Sequence, residues 1–194
     1  MSANRKRIAV LVSGEGTNLQ ALIDQLHGSD GVEIVGVAGS KPNVAALARA
    51  DAAAIRTAVF SRSDYESREA RDAALVNWLT ELKVGIVVTA GWMEILTPVL
   101  LDAFPDLVVN VHPSLLPEFP GLDAVGQALE AGATRTGVTV HLVDEGVDSG
   151  RVLLQGAVEL PADCSREQAL ALLRPIEHRL LPEAVRELSA GRLP

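Results

Sequence analysis

The chain has 194 residues, 48% of them hydrophobic and 22% charged, with a formal net charge of −8. This length and composition suit one globular α/β domain with a substantial core, and the negative charge argues against a nucleic-acid-binding protein. The single cysteine, Cys164, excludes an internal disulfide and fits a reducing cytoplasm. No apolar run is long enough to span a bilayer or to form the core of a signal peptide. We therefore expect a cytoplasmic protein that is not inserted in a membrane.

Runs rich in valine and isoleucine alternate with helical patterns along most of the chain. This alternation predicts βαβ units, and hence a mostly parallel, twisted sheet with helices on both faces. The predicted strands of this part cover residues 8–12, 34–38, 57–60, 85–90 and 107–112, and the predicted helices cover residues 17–26, 45–53 and 65–82.

The pattern changes in the C-terminal part of the chain. Two adjacent strands are predicted over residues 137–143 and 151–160, joined by a short polar loop. Such a pair suggests antiparallel strands at the edge of the sheet. A helix is predicted over residues 165–189, with Ser165 and Gln168 as a capping box. We expect Pro175 to kink or interrupt this helix, because proline removes a backbone hydrogen bond.

A glycine-rich turn, Gly14-Glu15-Gly16, lies between the first predicted strand and the first predicted helix. Glycines in such a turn let backbone N–H groups approach a ligand, and the helix N-terminus adds partial positive charge. A phosphate group is therefore the expected ligand. The dinucleotide fingerprint is incomplete, because Leu19 occupies the third glycine position. A mononucleotide or sugar phosphate is therefore favoured over NAD, and a plain tight turn without a ligand stays open.

Asn110 and His112 stand at the end of a predicted strand, followed at once by Pro113. Side chains alternate along a strand, so this amide and this imidazole point to the same side. Pro113 lacks the N–H that a sheet needs and should end the strand. Ligands of open α/β sheets bind at the carboxyl ends of strands, so the pair is a candidate catalytic site.

The acidic loop that contains Asp148 is the candidate partner of this pair, although a plain solvated hairpin loop is the alternative. A carboxylate near His112 would favour the imidazolium, and the Asn110 amide could donate to an oxyanion. A Ser-His-Asp hydrolase is the rival interpretation, but no G-x-S-x-G motif surrounds Ser114, which we expect to shape the loop. We expect His141 to be a core residue or to support another side chain of the site. The histidines and the cysteine show no metal-ligand spacing.

Five motifs in one order resemble the folate-dependent formyltransferases, over residues 8–193. They read V-L-V-S-G-E-G-T-N-L-Q-A-L-I, V-V-T-A-G-W-M-E-I-L, N-V-H-P-S-L-L-P-E-F-P-G, G-V-T-V-H-L-V-D-E-G-V-D-S-G and E-H-R-L-L-P. The resemblance implies one Rossmann-like formyltransferase domain over residues 1–194, with phosphate bound by its N-terminal half and folate and catalysis in its C-terminal half. The chain most resembles the family members that transfer the formyl group of 10-formyltetrahydrofolate to the amine of glycinamide ribonucleotide in purine synthesis. The implied enzyme uses these small molecules and no metal, as a monomer or homodimer.

The resemblance also implies the roles of individual residues. Asn110 and a protonated His112 would stabilise the oxyanion, and Asp148 would hold His112 as the cation and help to move the amine proton. The residues implied in ribonucleotide binding are Gly16, Thr17, Asn18, Arg174 and Glu177. Those implied in folate binding are Arg68, Trp92, Met93, Glu94, Ile95, Leu96, Asn110, Val143 and Asp144.

Two of these positions depart from the pattern of some family members. Arg174 stands where some carry a neutral glutamine, and a cation there could add a phosphate contact. Glu94 replaces a basic residue, which puts a side-chain contact to the folate glutamate tail in doubt.

Other members of the family are rival interpretations. A methionyl-tRNA formyltransferase would add an RNA-binding domain, and a sugar-nucleotide formyltransferase would be longer. The open alternatives are a formyltetrahydrofolate hydrolase, which usually carries an extra N-terminal domain, and a non-catalytic nucleotide-binding module.

Overall fold

The computed structural model describes residues 6–29 and 31–193, and its central feature is a sheet of seven strands in the order β3-β2-β1-β4-β5-β6-β7. The strands are β1 (Lys6–Val12), β2 (Val32–Gly39), β3 (Thr57–Val59), β4 (Ile86–Thr89), β5 (Val108–His112), β6 (Arg135–Leu142) and β7 (Val152–Glu159). Strands β1 to β5 run parallel, whereas β6 is antiparallel to both β5 and β7. The predicted mostly parallel sheet with an antiparallel edge pair is confirmed.

Helices cover both faces of the sheet, as predicted. They are α1 (Thr17–Leu26), α2 (Ala45–Ala52), α3 (Arg68–Glu81), α4 (Pro98–Ala103), α5 (Ala124–Glu130) and α6 (Arg166–Ser189). Alternate residues of β1 explain the two layers: Ile8 and Val10 pack in a cluster with α1, α2, α5 and α6, whereas Ala9 and Leu11 pack in a second cluster with α3 and α4. Within the described ranges, no helix has the length and apolar character needed to cross a membrane.

Two helices were not predicted, and a third begins later than predicted. The sequence pattern does not predict α4 or α5, because helices of 6 and 7 residues are too short to show a helical period. Helix α3 begins at Arg68 rather than at residue 65, because the Ser67 hydroxyl caps it by accepting the N–H of Ala70 at 3.1 Å. A short 3-10 turn, Arg62–Asp64, occupies part of the preceding segment.

Helix α6 continues through Pro175, so of the two expected effects of this proline, a kink or an interruption, the interruption does not occur. The predicted capping box is confirmed, with the Ser165 hydroxyl and the Gln168 side chain each accepting the other residue's backbone N–H. A proline inside a helix costs about 3 kcal/mol, whereas burial of one leucine side chain contributes about 1.5–3 kcal/mol. Leu173 and Leu180 lie on either side of Pro175 and are 0% and 3% exposed. Packing of this helix face therefore offsets the lost hydrogen bond.

The strand order reverses between β1 and β4, the two central neighbours from which the sheet grows in opposite directions. The crevice outside the carboxyl ends of strands at such a point is where open α/β sheets bind ligands. Gly14 and Gly16 follow β1, Gly91 follows β4 and His112 ends β5. The glycine-rich turn and the Asn110–His112 pair consequently lie at the same edge of the sheet.

Candidate active site

The glycine-rich turn forms a small open cavity at the N-terminus of α1. Its volume is about 150 Å³, and it is lined by Gly14, Glu15, Gly16, Thr17, Asn18, Ala90 and Gly91. Gly16 has a φ of +75°, and a Cβ there would lie 2.6 Å from the Cβ of Ala46 in α2. Only glycine fits this close approach. No side chain caps the first turn of α1, so its backbone N–H groups are available to an anionic ligand.

Helix α6 brings the carboxyl group of Glu177 and the guanidinium of Arg174 close to this turn. The Asn18 Nδ2 donates to Glu177 Oε2 at 3.0 Å, while the Asn18 Oδ1 is buried without a partner among the described residues. Burial raises the pKa of Glu177 above its usual value, although the Asn18 hydrogen bond and the charges of His178, Arg174 and His112 oppose the shift. The exposed guanidinium of Arg174 lies 3.7 Å from the Glu15 carboxylate. The sequence-predicted ribonucleotide residues therefore meet in space.

The Asn110 side chain lies between two neighbouring strands and contacts a side chain on each. Register pairs Asn110 with Thr89 of β4 and with His141 of β6. The Thr89 hydroxyl donates to Asn110 Oδ1 at 2.7 Å, and Asn110 Nδ2 lies 3.1 Å from His141 Nε2. The His141 Nδ1 faces the Leu142 carbonyl at 2.8 Å. Since a carbonyl only accepts, Nδ1 carries a proton. The Asn110 side chain is thus fixed by a contact on each neighbouring strand.

His112 and Asp148 form the second part of the site. The His112 Nδ1 lies 3.3 Å from Asp148 Oδ2, and its Nε2 lies 2.9 Å from the carbonyl oxygen of Phe119. Both ring nitrogens face acceptor oxygens, so the doubly protonated imidazolium satisfies both contacts. Asp148 Oδ1 also lies 3.5 Å from Asn110 Nδ2. Asp148 is 38 residues from Asn110 in sequence, and its carboxylate contacts both Asn110 and His112, so the three predicted catalytic side chains come together.

Opposing influences set the ionisation of Asp148. Burial raises its pKa, but the contact with His141, the hydrogen bond from the Gly121 N–H and the charge of His112 outweigh burial, and the pKa lies below its usual value. The Gly121 N–H donates to Asp148 Oδ2 at 2.7 Å. Asp148 is therefore an ionised carboxylate at neutral pH.

Two loop residues support this geometry. A Cβ at Gly150 would lie 1.8 Å from the Leu142 carbonyl oxygen, so only glycine lets the acidic loop return this close to β6. Ser114 is fully buried, and its hydroxyl donates to the carbonyl of Glu118. This contact fits the expectation that Ser114 shapes the loop after β5.

The predicted folate-binding segment, residues 92–96, follows β4 and presents both buried and exposed side chains. Trp92 is buried, whereas Met93 and Ile95 are 64% and 59% exposed. The Met93 N–H donates to the hydroxyl of Ser13 at 2.9 Å, which ties this segment to the glycine-rich turn. Glu94 and Leu96 are partly buried. The exposed apolar side chains of Met93 and Ile95 suit a flat aromatic ligand.

The remaining predicted folate residues lie on two other elements. Arg68 is exposed in the first turn of α3, one turn before Arg71, which contacts Glu94 and Ile95. Val143 is partly buried, and its N–H donates to the Val108 carbonyl at 2.8 Å. Asp144 is exposed, and its Oδ1 accepts hydrogen bonds within its own loop, from Gly146 and Ser149. In the described structure the Asp144 carboxylate therefore organises its own turn.

Sequence reasoning missed several residues that contact the predicted catalytic side chains. Thr89, Phe119 and Gly121 each make a hydrogen bond to Asn110, His112 or Asp148. His141 is the supporting residue that was expected in general, but its contacts with Asn110 and Asp148 were not predicted. Strand register is the signal that identifies Thr89 and His141, and register is not readable from one sequence. Among the described residues, no group of three or more His, Cys, Asp or Glu side chains is arranged to hold a metal ion.

Comparison with known proteins identifies the family to which this chain belongs. Residues 6–185 match the sequence model of the formyl transferase family, and the chain therefore belongs to that family. It is 40% identical over 189 residues to the phosphoribosylglycinamide formyltransferase of Haemophilus influenzae, covering 97% of this chain and 89% of that protein. The corresponding protein of Bacillus subtilis is 35% identical over 184 residues, with 94% of each chain covered.

Solved structures give the same result for the fold. The crystal structure of glycinamide ribonucleotide transformylase 1 from Symbiobacterium toebii superposes with a TM-score of 0.95 at 40% identity, covering 98% of this chain and 91% of that one. The Rossmann-like formyltransferase fold is thereby confirmed. The chain is also 44% identical over 196 residues to the trifunctional purine biosynthetic protein adenosine-3 of Drosophila pseudoobscura pseudoobscura, but it spans only 14% of that protein's length.

Proposed function

We propose that this chain transfers the formyl group of 10-formyltetrahydrofolate to the glycinamide amine of glycinamide ribonucleotide, a step of purine synthesis. The observation that carries the proposal is the contact of Asn110 and His112 with one carboxylate, Asp148, at the sheet edge that also holds the glycine-rich turn. An amide donor and an imidazolium side by side suit an oxyanion that develops during acyl transfer. The names of the relatives supply the acceptor and the transferred formyl group, and the resemblance of the motifs to the folate-dependent formyltransferases supplies the donor.

The ribonucleotide half of the site is supported by the turn around Gly16 and by Glu177. The N-terminus of α1 suits the ribose phosphate, and the unpartnered Oδ1 of Asn18 is an acceptor without a donor among the described residues. Glu177 offers a carboxylate to ribose hydroxyls. Arg174 lies beside Glu15 at the mouth of the turn, where a guanidinium adds attraction for a phosphate.

The folate half is supported by the apolar side chains of residues 92–96 and by Arg68. Exposed Met93 and Ile95 offer surface to an aromatic ring, and Arg68 is a cation that suits the carboxylates of a glutamate tail. The hydrogen bond between Ser13 and Met93 joins the two halves, so both ligands meet near Asn110. The Val143 and Asp144 turn would lie on the other side of the folate ring.

The proposed chemistry needs no covalent enzyme intermediate. The substrate amine attacks the formyl carbon, and the carbonyl oxygen becomes an oxyanion that accepts hydrogen bonds from His112 and from the Asn110 amide, which exchanges its long contact with Asp148 for this oxygen. His112 exchanges the Phe119 carbonyl for this oxygen. A proton then passes from the attacking amine to folate N10, with Asp148 as its relay, and the bond between N10 and the formyl carbon breaks. The products are formylglycinamide ribonucleotide and tetrahydrofolate.

The same proposal extends to the oligomeric state, the domain organisation, the use of metal and the location of the protein. All three catalytic side chains come from one chain, so the site forms in a monomer or in each protomer of a homodimer. We infer one domain over residues 1–194, because both ligand sites share one sheet. The two hydrogen-bond donors supply the oxyanion stabilisation, so we infer a reaction without a metal. The lone Cys164 supports a cytoplasmic location.

The test is an assay with purified protein, 10-formyltetrahydrofolate and glycinamide ribonucleotide, in which deformylation of the folate is followed with and without the ribonucleotide. We expect deformylation to require the ribonucleotide and to produce its formylated form in equal amount. Deformylation at the same rate without the ribonucleotide would identify a hydrolase. Binding of ribonucleotide without any turnover would favour the non-catalytic module.

A further inference from the structure

A buried ionic cluster lies in α3, outside the residues that the reaction uses. The side chains of Arg71 and Asp72 are both 0% exposed and are joined by two hydrogen bonds, from Nε at 2.9 Å and from Nη2 at 2.7 Å to Asp72 Oδ1. Removing both charges from water is costly, and neither residue belongs to the sequence-predicted site. A pair of this kind calls for an explanation other than general packing.

Among the described residues, the other side-chain hydrogen bonds of this cluster go to one segment, residues 92–97. Arg71 Nη1 donates to Glu94 Oε2 at 3.1 Å, and its Nη2 donates to the Ile95 carbonyl at 2.8 Å. Its guanidinium carbon lies 5.6 Å from the centre of the Trp92 ring, within the range of a cation–π contact. Asp72 Oδ2 accepts the N–H of Thr97 at 2.7 Å. The cluster thus contacts this segment at four positions.

We propose that Arg71 is a positioning residue that clamps residues 92–97 in the shape that receives formyl-folate, with Asp72 as its anchor and Glu94 as its partner. The inference rests on the proposed function, because it takes residues 92–96 as the folate site. Outside the clamp, this segment is held at Met93 by the Ser13 hydroxyl. The exposed Met93 and Ile95 side chains need a fixed backbone to offer a preformed surface.

The planar guanidinium is what this geometry requires. Its fork donates in three directions at once, to Asp72, Glu94 and the Ile95 carbonyl, which a lysine ammonium at the same depth cannot reproduce. The clamp also explains the acid at position 94. The Glu94 side chain is 23% exposed and turned to Arg71, so its charge is neutralised within the protein. Arg68, exposed one turn earlier in α3, is then a cation available to the folate tail.

The experiment compares Glu94→Gln, Arg71→Lys and the double variant with wild type. Glu81→Gln is the matched control, because Glu81 also pairs with an arginine, Arg56, but both side chains are more than half exposed. Measured quantities are kcat, KM for 10-formyltetrahydrofolate and for the ribonucleotide, and hydrogen exchange of the peptide that covers residues 92–97 in the ligand-free protein.

We expect Glu94→Gln to raise the folate KM by about 3–10-fold, the range that one net hydrogen bond supports, and to speed hydrogen exchange in residues 92–97. Arg71→Lys should raise the folate KM by at least about 10-fold, because it loses several contacts. The ribonucleotide KM and kcat should stay within about twofold of wild type, since only binding to the folate surface weakens. In the double variant the effects should be less than multiplicative, because both act through one contact. Glu81→Gln should match wild type in every measurement.

Unchanged folate KM and unchanged exchange in a folded Glu94→Gln variant would overturn the clamp, as would an equal rise of both KM values. If Arg71→Lys fails to fold, Glu94→Gln decides alone, because it leaves the buried Arg71–Asp72 pair intact. Failure of the proposed function looks different: the wild-type protein would then show no ribonucleotide-dependent turnover. In that case faster exchange of residues 92–97 in Glu94→Gln still supports the clamp, and unchanged exchange overturns it.

Discussion

At the scale of single residues, Asp148 is the group on which the site depends most, because its two oxygens contact Asn110, His112, His141 and the Gly121 N–H. Its pKa lies below the usual value of 3.8, since these contacts outweigh the effect of burial. A carboxyl group with a lowered pKa in the folded state stabilises the fold at pH values above 3.8, and this contribution is lost as the pH falls through the folded value. The site therefore keeps its carboxylate across the physiological pH range.

Asp148→Asn should lower kcat by about 10²-fold or more, the usual contribution of a group that handles protons. Asparagine keeps the size of the side chain but cannot hold His112 as a cation. Steady-state kinetics together with far-UV circular dichroism measure activity and fold separately. The matched control is Asp102→Asn, an exposed residue of α4, which should leave kcat unchanged. Turnover near the wild-type rate in folded Asp148→Asn would remove Asp148 from the mechanism.

Glu177 carries a charge whose burial weakens the fold, which predicts a conflict between stability and binding. Its pKa is raised by burial above 4.5, so the folded state binds its proton more tightly than the unfolded chain does. The ionised form therefore destabilises the protein above the folded pKa, and this penalty disappears as the pH falls toward 4.5.

Glu177→Gln should accordingly melt at the same or a higher temperature than wild type at pH 8, and the difference should vanish as the pH approaches 4.5. The ribonucleotide KM should rise by about 10-fold or more, because hydrogen bonds to a charged acceptor are lost. Thermal unfolding at several pH values and steady-state kinetics measure the two effects. The quantity to compare is the melting temperature of Glu177→Gln minus that of wild type. A smaller difference at pH 8 than at pH 5 would contradict the prediction.

The residues of the site were predictable from the sequence to different degrees. The two-residue period of a strand is enough to place Asn110 and His112 on one side. Nothing in the spacing connects them to Asp148, which was assigned by family resemblance. Thr89 and His141 contact Asn110 only because of strand register, which depends on long-range pairing that a single sequence does not encode in a readable form.

At the scale of elements, the long helix α6 carries both Glu177 and the two internal prolines, Pro175 and Pro182. Its existence was predictable from its capping box and length. Its continuity was not, because the packing of Leu173 and Leu180 that offsets Pro175 is a tertiary effect. The short helices α4 and α5 were not predictable for a related reason: they are fixed by Pro98 and by the Asp123 cap rather than by a periodic apolar face.

Pro175→Ala should raise the free energy of unfolding by about 1–2 kcal/mol. Alanine restores a helical N–H, which stabilises the folded helix by up to about 3 kcal/mol relative to proline. It also makes the unfolded chain more flexible, which reduces the gain by about 0.4–1 kcal/mol. Denaturant titration measures the change. Pro182→Ala is the matched comparison: Pro182 is buried, so the lost ring contacts should make its gain smaller. Equal or lower stability of Pro175→Ala would show that the helix geometry at this position already accommodates the ring.

At the scale of the whole molecule, the reversal of strand order between β1 and β4 joins distant parts of the chain. Asn18 and Glu177 are 159 residues apart in sequence and share a hydrogen bond. The alternation of strands and helices predicts a parallel sheet, but it does not give the order of the strands, so the meeting of these residues followed only from the family resemblance. The sheet edge is thus a surface on which different segments form the two proposed ligand sites side by side.

This arrangement predicts that each ligand stabilises the folded chain by itself. Ligand at 100 times its Kd adds about 2.7 kcal/mol, which corresponds to a rise of about 5–10 °C in Tm for a chain of this size. Differential scanning calorimetry should show such a rise with glycinamide ribonucleotide alone and with 10-formyltetrahydrofolate alone. Asn18→Ala should abolish the first shift and keep the second, because Asn18 belongs to the glycine-rich turn and not to residues 92–96. A shift with the folate but none with the ribonucleotide in the wild-type protein would contradict formyl transfer to that acceptor and favour a hydrolase.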